Sequence, residues 1–303
     1  MPKAVRVVPL VLFLAACGGN LEGDEDTADI EYGTAVHKLP WRDQSAPTPQ
    51  ATTPHLQYFG GKVLSSVKVV QVLYGSGTYQ SFVSGSGTGT MSAFYTGVTK
   101  SAYFDWLTEY NTPSRSIGRG SFAKKVAIAP ATSRDKATIS DANIQAEISA
   151  QIGKGILPAP DANTLYMVDF PKGKTITQGG SRSCVAGGFC AYHGTFKRNS
   201  TEIYYGVLPD MSAGSGCDVG CGRGTAFGNQ TSVASHEMIE AVTDAEVGLA
   251  TVLGPPLAWY DPNNGEIGDI CNGQQGTITG GDGHSYTVQK EWSNAAKACI
   301  VHK

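Results

Sequence analysis

The chain has 303 residues, of which 16% are charged and 41% apolar, with 38 glycines. That charge content is well below the roughly 25% of an average soluble protein, which excludes a charged disordered chain and a long coiled coil. A formal net charge of −3 leaves no basic field for a nucleic-acid backbone, so nucleic acid is not expected as a partner.

Lys3 and Arg6 precede an apolar run at 7–14, broken only by Pro9, that closes on Leu14-Ala15-Ala16-Cys17. The run is too short to span a bilayer as a mature helix, which takes roughly 20 residues. It resembles a bacterial lipoprotein signal. That resemblance implies a signal peptide over 1–16, diacylglycerol on the Cys17 thiol, and attachment to the membrane through lipid in the cell envelope. Gly18 rather than Asp after the anchor points to the outer membrane or cell surface. Residues 17–55 then read as the lipidated Cys and a tether. Glu22, Asp24, Glu25, Asp26, Asp29 and Glu31 repel one another, and 46–54 is rich in Pro and Thr.

A single α/β domain is expected over 56–303. Residues 67–74 are β-branched and apolar and stop at Gly75, which predicts a core strand. Phe94, Val98, Tyr103, Trp106 and Leu107 recur at near-helical spacing and predict a helix over 91–110. A strand is expected at 125–129. Ser140 can cap a helix over 141–153, whose Ile144, Ile148 and Ile152 fall on one face. Strands at 164–170 and 202–208 and a helix at 230–244 complete a mixed β-sheet packed with helices, in a zincin-like strand–helix order with disulfide-stapled loops.

Apart from Cys17 there are six cysteines, Cys184, Cys190, Cys217, Cys221, Cys271 and Cys299. An even number in an exported chain predicts three disulfides. Proximity in sequence favours Cys184–Cys190, Cys217–Cys221 and Cys271–Cys299. Cys217 and Cys221 could instead bind zinc as thiolates.

The helix at 230–244 carries Ser235-His236-Glu237-Met238-Ile239-Glu240. His236 and Glu240, four apart, project from one face and can share a divalent ion. Glu237 is rotated by about 100°, where its carboxylate can act on a metal-activated water without ligating, as the catalytic base. The pattern is that of His-Glu-x-x-His with Glu240 in place of the second His, so Zn2+ is the first expectation and Ca2+ the alternative. A third ligand is expected downstream. Asp269 comes first because its neighbour Cys271 can be clamped, followed by Glu266 and Asp261, with His284 a fourth option. His193 is expected to be a structural hydrogen-bonding residue beside a disulfide.

Several stretches, in order, resemble the phosphate-induced protein 1 group, which includes the plant EXORDIUM proteins. They are Val72-Leu73-Tyr74-Gly75, Trp106-Leu107-Thr108-Glu109-Tyr110, Phe189-Cys190-Ala191-Tyr192-His193-Gly194, Cys217-Asp218-Val219-Gly220-Cys221, and the tail from Tyr286 to Cys299. The likeness runs along most of 58–302. It departs from the plant members at His236-Glu237 and Glu240, so it implies export, disulfides and fold rather than mechanism. Three functions follow as expectations: a lipid-anchored metallohydrolase, most plausibly a peptidase; a non-catalytic surface protein with a structural ion, binding protein or cell-wall polysaccharide through Trp259 and Tyr260; and an ion-free structural envelope protein.

Overall fold

The computed structural model describes residues 28–41 and 53–303. The signal, Cys17 and much of the tether lie outside the described residues. Residues 28–41, within the stretch expected to be a tether, carry two short strands, β1 (Ile30–Glu31) and β2 (His37–Pro40). These residues join the sheet along the open edge of the strand at Phe189–Arg198.

The central sheet has seven strands. After β1 and β2 come β3 (Lys68–Tyr74), β4 (Ser121–Ile128), β5 (Thr164–Asp169), β6 (Phe189–Arg198) and β7 (Thr201–Leu208). Strands β7, β5, β3 and β4 lie side by side and parallel. β6 turns back antiparallel on β7, and β1 and β2 pair along its outer edge. β6 was not expected as a strand. Its ten residues are buried from Phe189 to Phe196, so it shows no alternation of apolar and polar residues.

Side chains alternate between the two faces of the sheet. Val70, Val72, Tyr166, Val168, Tyr192, Phe196, Tyr205 and Val207 meet Ile144 and Ile148 of α2 (Asp141–Gly153), whose Ser140 accepts from Asn143 N as its cap. Val69, Leu73, Leu165, Met167 and Leu208 meet Val233, Met238 and Ile239 of α3 (Ala226–Thr243) on the other face. The helix expected over 91–110 is three pieces, α1 among them (Met91–Val98). Thr99 and Ser101 break it, because Thr99 Oγ1 bonds back to the Tyr95 carbonyl and Ser101 caps the next turn. No helix among the described residues is long and apolar enough to cross a membrane.

Three disulfides are present, but two pairings differ from the expected ones. Cys184 joins Cys217 and Cys190 joins Cys221, while Cys271 joins Cys299 as expected. Cys217 opens the turn Cys217–Gly220 and Cys221 follows it, so that the two reach different partners, Cys184 ahead of β6 and Cys190 within it. Neither is available as a zinc thiolate.

Helix α3 is fixed to the sheet by a polar contact. Gln230 donates to Asp169 Oδ1 at 3.0 Å, and Gln71 donates to Oδ2 at 2.9 Å. Burial pushes the Asp169 carboxyl up to about 7, only partly opposed by these two bonds and the charge of Lys125. An unfolded aspartate ionises near about pH 3.9. Between there and pH 7 the unfolded chain therefore binds fewer protons than the folded one, and stability falls as pH rises, on the order of 4 kcal/mol across the window. Asp169→Asn is expected to flatten the fall in urea-melt stability between pH 4 and 7. An unchanged slope would show that this carboxyl ionises normally.

Candidate metal centre

Sixteen residues of α3, Gly228 to Thr243, are buried on every side. The sheet covers one flank. A C-terminal hairpin, β8 (Gln275–Thr279) and β9 (Ser285–Gln289), covers another, with Thr231 Oγ1 donating to the Thr287 carbonyl and Gln289 N donating to Ser235 Oγ. A helix so enclosed is normally apolar all round. This one carries His236, Glu237 and Glu240, each 0% exposed.

Strand parity brings a second imidazole to the helix. Tyr192 and Phe196 face α2, so His193 between them faces α3. Its cross-strand partner is Gly206, where an added Cβ would stand 2.7 Å from Met167 Sδ and 3.7 Å from Glu237 Cβ, so the helix lies close over this point. A turn after Tyr260 supplies the remaining acids. Glu266 is fully buried and Asp269 partly so, the latter opening the turn Asp269–Cys271 that Cys271–Cys299 clamps.

The distances are short. His236 Nε2 stands 3.1 Å from Glu240 Oε2 and 4.0 Å from Glu237 Oε1. His193 Nε2 stands 3.7 Å from the same Glu240 oxygen and bonds both oxygens of Glu266, at 3.2 and 3.1 Å. Glu240 Oε1 accepts from Asp269 N at 3.0 Å, whereas Glu240 Oε2, His236 Nε2 and both Glu237 oxygens are buried without a hydrogen-bond partner. The His236 nitrogen and the Glu240 oxygen thus stand 3.1 Å apart with no hydrogen bond between them. Two ligands at 2.0–2.2 Å from one tetrahedral ion stand roughly 3.3–3.6 Å apart. Two sets of residues could hold a cation, His236, Glu240 and Asp269, and His193, Glu240 and Glu266, with the ligand atoms of each set within 4.8 Å of one another.

Electrostatics points the same way. Burial drives the Glu237 carboxyl well above the usual range, opposed by His236 and reinforced by Glu240, Asp269 and Glu266. Burial likewise drives Glu240 up, with Asp269, Glu266 and Glu291 adding to it. Glu291, which accepts from Tyr103 OH at 2.8 Å, is pushed up to about 8 by burial, against the pull of His236. Without a cation these groups favour the neutral form. The His236 ring is set by Gln289, whose Nε2 lies 2.6 Å from Nδ1 and donates to the Gly268 carbonyl at 2.8 Å. A ligating ring carries its proton on Nδ1. Turning the Gln289 amide over offers that proton an oxygen, in exchange for the Gly268 bond.

Of the residues read from the sequence, His236, Glu237, Glu240, Asp269 and Glu266 come together. His193 does make the expected hydrogen bond, but inside this cluster, which its reading as a purely structural residue missed. Asp261 lies elsewhere as the acceptor of a turn, bonded by the backbone N–H of His55 and of Asn263. His284 sits in the exposed turn between β8 and β9 and belongs to neither set. The Trp259 ring packs between Tyr58 and Tyr110 rather than standing free. Gln289 and Glu291 were not foreseen, although their spacing of two on an extended segment puts both on one side. No family model, no curated protein and no solved structure matches this chain.

The loop meets the helix at Gly268, whose backbone is ordinary right-handed. A Cβ there would lie 2.4 Å from His236 Nδ1 and 2.9 Å from Glu240 Oε1. Gly268→Ala is expected to lift the turn off α3 and cost about 1–3 kcal/mol, the usual range for overpacking. Thermal melts of the two proteins test this, and an unchanged melting temperature would show that the turn yields freely.

Proposed function

We propose that the protein is an exported, lipid-anchored metallohydrolase with a zincin-like centre, in which His236, Glu240 and Asp269 bind a divalent ion. Zinc is the first choice and calcium the alternative. One observation carries this function: His236 Nε2 and Glu240 Oε2 stand 3.1 Å apart, fully buried, with neither atom hydrogen-bonded. A divalent ion held by His236, Glu240 and Asp269 would supply Lewis-acid activation of a carbonyl and of a water. Glu237, one residue along with two unbonded oxygens, takes the proton of the attacking water. The water oxygen bonds to the carbonyl carbon, the carbon–nitrogen bond breaks, and Glu237 returns the proton to the leaving nitrogen. As burial raises the Glu237 carboxyl and disfavours its charged form, a cation beside it would favour its work as a base.

The three disulfides support an oxidising compartment. Cys17 in its lipobox supports membrane attachment at the outer membrane or cell surface, and the likeness to the phosphate-induced protein 1 group agrees with that address.

A structural ion in a non-catalytic surface protein is favoured by closure. His193, His236, Glu237, Glu240 and Glu266 are at most 1% exposed. Two variants of the oxidised protein separate the readings. His236→Ala is expected to lose metal by elemental analysis. Glu237→Gln is expected to keep its metal and to cleave a peptide library at least about 10²-fold more slowly. Equal cleavage by Glu237→Gln would end the hydrolase reading and leave the structural ion. No stoichiometric metal in the unmodified protein would end both.

A further inference from the structure

We infer that the centre is binuclear: His193 and Glu266 hold a second divalent ion, and Glu240 bridges it to the ion at His236 and Asp269. This extends the metal reading above and rests on it. The ligand atoms close up as two sets of three, and Glu240 is the residue common to both. Glu240 is also the one carboxylate both imidazoles approach, at 3.1 Å from His236 Nε2 and 3.7 Å from His193 Nε2.

A plain His193–Glu266 pair would leave too much unexplained. That hydrogen bond uses His193 Nε2 and satisfies Glu266. It leaves Glu240 Oε2 and both Glu237 oxygens buried without a donor, and His193 Nδ1 unbonded as well. Within ion-pair distance, the described partners of Glu237 and Glu240 are histidines. Five carboxyl groups, those of Glu237, Glu240, Glu266, Asp269 and Glu291, surround two imidazoles, and four of the five are fully buried. A single ion on His236 and Asp269 would use one of the two ligand sets and leave the buried His193–Glu266 set beside Glu240 without a cation. A carboxylate that bridges ions about 3.5–4 Å apart is the usual device of two-metal hydrolytic sites. The mixed imidazole and carboxylate set suits zinc or manganese.

The test is metal stoichiometry with a magnetic readout. The full oxidised chain is loaded with Zn2+ or with Mn2+, desalted, and analysed for metal, and the manganese form is examined by low-temperature electron paramagnetic resonance. Two equivalents per chain and an exchange-coupled dimanganese spectrum are expected. His193→Gln is expected to retain one equivalent and show the six-line signal of an isolated manganese ion. One equivalent in the unmodified chain, retained by His193→Gln, overturns the second site and leaves the metal reading standing. Two equivalents without coupling overturn the Glu240 bridge, and two equivalents in His193→Gln overturn the role of His193. No metal at all overturns both readings. If His193→Gln does not fold, the stoichiometry and spectrum of the unmodified chain decide the question.

Discussion

Ionisable groups on a helix without a solvent-facing side are the constraint around which this protein is arranged. Helix α3 is covered by the sheet on one flank and by the C-terminal hairpin and the turn at 266–271 on others, yet it carries an imidazole and two carboxyls inward. Burying such groups is costly unless each finds a partner of opposite character. The surrounding elements supply polar contacts for the helix: Gln230 to Asp169 at its sheet end, Ser235 with Gln289 N in the middle, and Asp269 N on Glu240 further along. What they do not supply is a donor for Glu237 or for the second oxygen of Glu240. Other buried atoms also lack a partner, Tyr95 OH and Trp106 Nε1 among them, but the carboxylate oxygens without a donor include those of Glu237 and Glu240 beside His236.

How far the sequence led follows from which physics is local. The strand at 68–74 and the helix at 141–153 were legible because runs of β-branched residues and a Ser cap act within a few residues. His236 and Glu240 were legible as a pair because four residues always return to one face of a helix. β6 was not, since burial on both faces erases the alternation that marks a strand, and Cys190 and Gly194 dilute its β-rich composition. His193 was lost with it, because parity on an unrecognised strand cannot be counted. Asp269 and Glu266 could be ranked but not separated, for a tight turn bonded through Gly268 and Glu266 decides which carboxyl points where. The disulfide pairings depend on how a short helix lies across β6, and six cysteines allow fifteen pairings before any tertiary contact is known.

The substitution of Glu240 for the second histidine of the helix motif has a structural counterpart. In a helix bearing two histidines four apart, both imidazoles come from one element and the charge of the site stays low. Here one imidazole comes from α3 and the other from β6, and both converge on the carboxylate that stands where the second histidine would be. The position of these side chains then depends on the helix–sheet distance at Gly206, where an added Cβ would crowd Met167 beneath Glu237. It depends equally on the turn at 266–271, held by Cys271–Cys299 from outside and pressed on His236 through Gly268. A disulfide that fixes this turn limits how far Glu266 and Asp269 can relax from the helix when no cation is present. Oxidation therefore favours the crowded, acid-rich arrangement, so that disulfide formation would act on the same few contacts that the proposed ion would stabilise.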